Sequence, residues 1–376
     1  MEEHSMKILI LSRYTRLGAS SRLRLYQFLP VWADAGITCV IHPLLNDQYL
    51  HALYGKKAAS KTNLIRGYAA TLKQVLFAGR YDLVVIEKEV FPFLPPLAEW
   101  WLRLRNIPYV VDYDDAIFHN YDQNTNGLVR FVLGKKIASV MRWAAVVVCG
   151  NEYLCDYARR AGVRKIGRIP TVIDTQKYTP APRDTETGVV VIGWMGSPMT
   201  AKYVKTLRPV LAALASRYGI RLHLVGAAEG IGLGASETVL PWSEAGEAAL
   251  IGAFDIGIMP LEDSPWERGK CGYKLIQYMG CGLPVVGSPV GVNREIIREG
   301  INGFAPDTEA EWAKALETLI LDKALRLRMG QAGRKMVLET YALQTAARQW
   351  INIFQHIIAV KNQPHVRDIR DHSLSD

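Results

Sequence analysis

Short apolar runs recur along this chain, and most are followed by a turn of small residues and then by a helical pattern. In the first half they fall at 7–12, 37–45, 81–87, 108–112 and 145–149, and in the second half at 189–192, 221–225, 255–260 and 283–286. Strands that alternate with helices pair in parallel, and a parallel sheet has to be covered by helices on both faces. The fold class is therefore expected to be α/β. A single core stops growing near ~250–300 residues, so 376 residues with 49% hydrophobic content imply two such units rather than one.

In open α/β sheets, ligands bind beyond the carboxyl ends of the strands, and several turns there have the composition of anion cradles. The strongest is 266–295, where a basic loop with Lys270 and Lys274 runs into a helix at Gly272. The first amides of a helix lack intrahelical partners and the helix dipole favours negative charge there, so a diphosphate would fit. Weaker versions are the turn 16–21, where Gly18 allows close backbone approach, and the turn 193–198, which holds Gly196 and Ser197. Neither is the Gly-x-Gly-x-x-Gly dinucleotide fingerprint, so a nicotinamide cofactor is not expected.

Two further strand ends carry charge, Glu87-Lys-Glu and Asp112-Tyr-Asp-Asp. Asp114 and Asp115 could face a cleft, or could cap the next helix, since aspartate is a preferred N-cap. A metal-binding Asp-x-Asp conflicts with the two-domain layout, and a phosphatase pair lacks the small residues that should follow. Residues 128–144 read as one amphipathic helix with Lys135, Ser139 and Arg142 on one side. Such a stripe, together with the neighbouring Lys136, suits either solvent or an anionic membrane.

The formal charge of +9 and pI near 9.2 call for a polyanionic neighbour, whether nucleotide, anionic membrane surface or nucleic acid. No recognised nucleic-acid motif is present, so that partner is not expected. No apolar run reaches the ~18 residues that span a bilayer, and the acidic opening is unlike a secretory signal. A cytoplasmic protein is expected. Cys39, Cys149, Cys155, Cys271 and Cys281 show no zinc spacing and are expected to be reduced, mostly buried thiols.

Taken in order, these motifs resemble the retaining glycosyltransferases of family four. The resemblance is carried by Lys274-Leu-Ile-Gln-Tyr-Met-Gly-Cys-Gly-Leu-Pro-Val-Val-Gly, by Gly291-Val-Asn-Arg-Glu and by Asn302-Gly-Phe. Asp255-Ile-Gly-Ile-Met-Pro, Ile169-Pro-Thr-Val-Ile-Asp and Leu17-Gly-Ala-Ser-Ser-Arg add to it. It implies the GT-B architecture, two Rossmann-like domains facing across a cleft, with a C-terminal helix crossing back to the first domain. On that scheme 1–178 is the acceptor domain, 179–188 a linker, 189–340 the nucleotide-sugar domain, 341–362 the crossover helix, bearing Trp350 and Phe354, and 363–376 a polar tail.

The activity implied is transfer of a sugar, hexosyl-like, from a nucleoside diphosphate sugar to the hydroxyl of an acceptor glycan or lipid-linked glycan, with retention. Cell-surface polysaccharide or glycolipid assembly is the setting implied, and the basic helix near Lys135 with the basic segment Arg22-Leu-Arg24 points to a lipid-linked acceptor at the inner membrane face. No metal and no cofactor is expected beyond the substrate. Asp114, Asp115 and Glu267 are the catalytic candidates. Gly18, Gly196, Ser197, Lys270, Gly272, Lys274, Gln277 and Glu295 are the donor-binding candidates. The chain departs from the family at a usual pair of glutamates, which fall on Gly269 and Gln277. It departs again at a phosphate-binding arginine, which falls on Trp194, and the companion lysine is matched only loosely by Lys202. Gln277 can still bond a ribose hydroxyl, and Glu267 is the candidate to replace the first glutamate. The altered pair leaves a second reading, a sugar-nucleotide-binding protein without catalysis.

Overall fold

The computed structural model describes residues 6–54, 60–181 and 188–362. Among them are two parallel six-stranded sheets. The first, in the order β2-β1-β3-β4-β5-β6, contains β1 (Met6–Tyr14), β2 (Ile37–Leu45), β3 (Leu83–Glu87), β4 (Tyr109–Tyr113), β5 (Val146–Cys149) and β6 (Ile166–Arg168). The second, in the order β12-β11-β10-β7-β8-β9, contains β7 (Val191–Met195), β8 (Arg221–Val225), β9 (Glu237–Leu240), β10 (Ile256–Met259), β11 (Val285–Gly287) and β12 (Gly303–Phe304). The α/β expectation holds. The strands β6, β9 and β12 were not legible: they are short, and the sequence at 302–304 reads as a turn.

Side-chain alternation explains why these strands are almost wholly apolar. In the first sheet Ile8, Ile10, Leu83, Val85 and Val110 point to one face, and Leu9, Leu11, Val84, Ile86 and Val111 to the other. Both faces are covered, so both parities have to be hydrophobic. One face receives the helix Leu343–Asn362, whose Trp350 and Phe354 rings lie 5.9 and 5.2 Å from Trp32. The last helix therefore crosses back to the first unit. A buried cluster continues through Val172, Ile173 and Tyr178 to the helices Tyr273–Gly280 and Lys323–Thr340, so apolar packing joins the halves. Residues 182–187 of the expected linker and the expected tail 363–376 lie outside the described residues.

The expected single helix at 128–144 is instead two, Gly127–Leu133 and Lys136–Trp143. Gly134 has low helix propensity, and the turn there drives Lys136 inward. Its ammonium pairs with Glu89 and donates to the Phe91 carbonyl at 2.6 Å. Lys136 is thus buried and unavailable to any surface partner.

The first domain is also held by a buried ion pair. Arg24 meets Asp112 with two parallel bonds, Nε to Oδ2 at 2.8 Å and Nη2 to Oδ1 at 2.6 Å, and Nη1 donates to the Ile169 carbonyl at 2.9 Å. Removing one partner of such a pair strands a buried charge and typically costs about 3–5 kcal/mol. Asp112→Ala is expected to be destabilised by that order in urea unfolding, and an Arg24→Leu/Asp112→Leu double variant by clearly less.

Candidate functional site

The strand order of the first sheet reverses between β1 and β3, and that of the second between β10 and β7. The crevices at such reversals are where α/β sheets take ligands, and the loops following these strands carry most of the candidate residues.

On the first domain, Lys88 follows β3 directly and adopts φ 67°, a left-handed backbone that a non-glycine residue holds only where its surroundings enforce it. Its ammonium is 2.9 Å from Asp114 Oδ1 and 3.4 Å from Asp115 Oδ2, and Ser20 Oγ donates to Asp114 Oδ2 at 2.6 Å. Beneath them Ser21 Oγ and the Arg13 amide donate to Glu87 Oε2 at 2.6 and 2.8 Å. The capping role for Asp114 and Asp115 is excluded, because the next helix, His119–Asp122, has no side-chain cap. Burial pushes the Asp114 carboxyl up, but Lys88, Arg24 and the Ser20 bond outweigh it and hold it below the usual range. Asp115 moves the other way, raised by burial and by the charge of Asp114. Two adjacent carboxyls with pKa values driven apart are a common arrangement for dividing proton-accepting and charge-holding roles.

On the second domain, Gly272 turns the chain into the helix Tyr273–Gly280 with φ 63°, and no side chain caps that helix. A Cβ at Gly272 would also lie 2.4 Å from Ile296 Cδ1, so both conformation and space require glycine. Lys274 sits half-buried with its ammonium 5.9 Å from the centre of the Trp194 ring. Burial, with Lys270 adding like charge, lowers its pKa to about 8. Trp194 is otherwise a core residue, 1% exposed. Lys202 lies over the Tyr203 ring, 4.8 Å from its centre.

The two domains touch through the loop between. Asn151 Nδ2 donates to the carbonyls of Gly269 and Lys270 at 2.8 and 3.0 Å, and the Cys271 thiol donates to the Asp114 carbonyl at 3.0 Å. A Cβ at Gly269 would lie 2.5 Å from Ala116 Cβ, and one at Gly150 would lie 2.4 Å from Cys271 Sγ. The lysine-bearing loop is thereby pinned beside the aspartates. The charge of Lys270 reaches both Asp115 and Glu267, partly opposing the rise at the first and adding to the fall at the second.

Several candidates sit differently from expectation. Gln277 is 2% exposed and donates from Nε2 to Tyr178 OH at 2.9 Å, so it is a buried amide rather than a surface one. Tyr178 in turn bonds Glu247, which Lys177 also meets at 2.9 Å. At Gly18 the space of the missing side chain is filled by its own neighbour, Tyr14 Cβ at 2.5 Å, so packing within the first domain already requires glycine here. The Ser197 amide donates to Thr200 Oγ1 at 3.0 Å, and a Cβ at Gly196 would meet the Trp194 ring at 2.4 Å, so that turn is tied to its own neighbours. Glu295 pairs with Arg168 of β6, across the domain boundary. Glu267 is buried and accepts from Tyr203 and Ser264; burial pushes its carboxyl up, but these bonds prevail and hold it low.

Sequence reasoning passed over Lys88, Ser20, Asn151 and Tyr203 as site residues. Only Lys88 had a signal, its place between two glutamates at a strand end. A cavity of about 880 Å³ opens elsewhere, lined by Val189, Val190, Asp255, Arg326 and Arg334. It lies at the amino ends of β7 and β10, its arginines are committed to backbone carbonyls, and it is not the candidate site.

The cysteines form no disulfide; Cys149, Cys155 and Cys281 are buried, and Cys39 and Cys271 partly so. Among the described residues no helix is long and apolar enough to cross a membrane.

Residues 186–322 match the profile of the family described as Glycosyl transferases group 1. The N-acetyl-alpha-D-glucosaminyl L-malate synthase of Bacillus anthracis is 28% identical over 95 residues, which is 24% of this chain and 25% of that protein. The match therefore spans only about a quarter of that relative. Sucrose-phosphate synthase from Thermosynechococcus elongatus superimposes with TM-score 0.71 at 15% identity, covering 94% of this chain and 100% of that one. Anabaena HepE, solved in complex with UDP and glucose, gives TM-score 0.66 at 17% identity, covering 93% and 99%. Residues 186–322 thus match the Glycosyl transferases group 1 family, and the two-domain α/β scaffold over nearly the whole chain has the GT-B fold of these solved structures.

Proposed function

We propose that the chain is a glycosyltransferase that moves a sugar from a nucleoside diphosphate sugar to an acceptor hydroxyl with retention at the anomeric carbon. One observation carries the reading: the uncapped helix start at Gly272, with Lys270 and Lys274, is pinned by Asn151 and Cys271 beside Asp114 and Asp115. Anion-binding groups and carboxylates then face one another at the strand reversals. The complex of HepE with UDP and glucose supports a nucleotide-sugar donor.

As the donor bond breaks, charge gathers on the departing diphosphate. Lys274, Lys270 and the free amides of the helix start meet that charge, doing without a metal what a divalent cation does in other transferases. Asp114, fixed by Lys88 and Ser20, orients acceptor or sugar. Asp115, with its raised pKa, is the more exposed of the two carboxyls and faces the incoming hydroxyl. Glu267 keeps acceptor capacity on each oxygen for a sugar hydroxyl. In retention of this kind the leaving phosphate itself can take the acceptor proton, so no further base is required. The acceptor proposed is a glycan or lipid-linked glycan, handled at the cytoplasmic face of a membrane, in cell-surface polysaccharide or glycolipid assembly.

A thermal-shift screen against nucleoside diphosphates, followed by donor turnover, tests the reading. At a ligand concentration of about 100 times Kd, stabilisation is about 2.7 kcal/mol, a shift of several degrees for one base. If no diphosphate moves the transition, the donor assignment fails. If one binds but no donor turns over across a panel of acceptors, the non-catalytic reading prevails, which the loss of the glutamates at Gly269 and Gln277 favours.

A further inference from the structure

The helices Lys61–Leu76, Leu97–Leu104, Gly127–Leu133 and Lys136–Trp143 cover one face of the first sheet, and their inner residues Val75, Leu102, Leu133 and Ile137 share one buried cluster. Their outer sides therefore form a continuous surface. It is unusually apolar for exposed protein: Phe131 is 88% exposed, Leu128 70%, Ile65 68%, Leu97 66%, Phe93 55% and Trp100 48%. Single apolar residues are normal on a surface, but six large ones on the elements that cover one sheet face are more than scatter, and such surfaces mark interaction sites.

The charge on the same surface is of one sign. Across residues 61–80, 91–106 and 124–144 the sole acidic residue is Glu99, and it is buried, with Oε1 accepting from the Val90 amide at 2.8 Å. Arg66, Lys73, Arg103, Arg105, Arg130 and Lys135 are all exposed among the apolar side chains. The acidic residues that border the face are Asp122, paired with His119 on the short helix before Gly127–Leu133, and Glu152 and Asp156 on the helix Glu152–Arg160. Apolar side chains interleaved with cations and free of anions are complementary to an anionic bilayer, where rings and aliphatic chains enter the headgroup boundary and cations meet lipid phosphates. An acidic protein would satisfy the charges but would not account for so many large apolar side chains exposed among them.

The position of the face fits as well. Phe93 packs edge-on to Tyr121, 5.4 Å between ring centres, and Tyr121 OH donates to Glu89, the residue after Lys88. The surface is therefore linked, through Tyr121 and Glu89, to the lysine that holds Asp114.

We propose that this face, with Leu128 and Phe131 at its tip and Phe93, Leu97 and Trp100 beside them, is a docking surface for an anionic lipid bilayer. It deepens the reading above by naming the surface that brings a lipid-linked acceptor to the cleft, and in that respect rests on it. The basic stripe inferred from Lys135, Lys136 and Arg142 is replaced, since Lys136 is buried and Arg142 Nε is bound to the Ala161 carbonyl at 2.9 Å.

The test uses the full chain without donor, in cosedimentation with vesicles of phosphatidylcholine alone or mixed with phosphatidylglycerol. Binding is expected with phosphatidylglycerol and is expected to weaken with salt. Leu128→Ser/Phe131→Ser should lower the partition coefficient about tenfold or more, and Arg66→Gln/Lys73→Gln severalfold, with unfolding midpoint and diphosphate binding unchanged because these side chains are exposed. The proposal is overturned if the parent chain ignores phosphatidylglycerol vesicles, or if the serine pair binds as the parent does. It is equally overturned if the parent is a dimer that the serine pair dissolves, for then a second copy covers the face. Because no sugar chemistry enters the measurement, vesicle binding and donor turnover can fail independently.

Discussion

Replacing Lys270 and Lys274 together by alanine is expected to lower kcat/KM for sugar transfer by about a thousandfold, and Lys274→Ala alone by about a hundredfold, the range seen when preorganised donors to a developing charge are removed. The loss should fall mainly on kcat, because charge on the diphosphate grows as the donor bond breaks and the ammonium groups matter most there. Affinity for the diphosphate product should fall with it. Stability should not fall: Lys274 is held half-buried against Trp194 with another cation nearby, and its pKa of about 8 states that the fold disfavours its charge. A variant that loses activity through unfolding would show a lower urea midpoint, which separates the two explanations.

The same lysine gives a pH signature whose sign can be fixed in advance. Its folded pKa of about 8 lies below the ordinary 10.5. Between those values the unfolded chain binds more protons, so this group makes stability rise with pH across that window and contributes no slope below it. Donor binding has the opposite dependence. A bound diphosphate favours the ammonium and raises its pKa, so binding above pH 8 takes up a proton and weakens as pH climbs. Calorimetry in buffers of different ionisation enthalpy reads that proton directly, and Lys274→Ala should abolish it.

The scaffold was legible because parallel strands covered on both faces leave nearly continuous apolar runs, as at 83–86 and 109–111, with the charge held to the strand ends. The crossover helix was legible because Trp350 and Phe354 recur at helical spacing and can only be buried. Short edge strands such as Ile166–Arg168 and Gly303–Phe304 were not, since two or three residues next to glycine carry no periodicity. At the site, charge and glycine position drew attention to Lys270, Gly272, Asp114 and Asp115, and the fold brings this loop against the aspartates through the Cys271 thiol and the charge of Lys270. Partners distant in sequence were invisible. Nothing local ties Asn151 to the carbonyls of Gly269 and Lys270, or Tyr178 to Gln277, because those contacts exist only once the domains have met. At Gly18 the sequence could not show that the space of the missing side chain is taken by Tyr14.

Gly269→Glu, which installs the residue that the family resemblance would place there, is expected to abolish transfer rather than improve it. At this position Cβ alone would come within 2.5 Å of Ala116 Cβ and 2.8 Å of the Ala116 backbone nitrogen. A backbone cannot give way as a side-chain tip can, so the loop must lift from the first domain. That breaks the bonds from Asn151 Nδ2 and from the Cys271 thiol and carries Lys270 away from Asp115. A displacement of about 1 Å in a reacting assembly can cost a hundredfold in rate, and a glutamate forces more than that. Gly269→Ala should lose about tenfold or more, since overpacking by one methyl costs about 1–3 kcal/mol. Gly269→Ala/Ala116→Gly should recover part of that loss, because one of the two colliding atoms is gone. Small-angle scattering distinguishes this from a simple binding defect: the glutamate variant should have the larger radius of gyration without ligand and should fail to contract with donor. If Gly269→Glu instead raises turnover, the loop takes another position in the working enzyme, and the pinning of Lys270 beside the aspartates is not how this cleft is assembled.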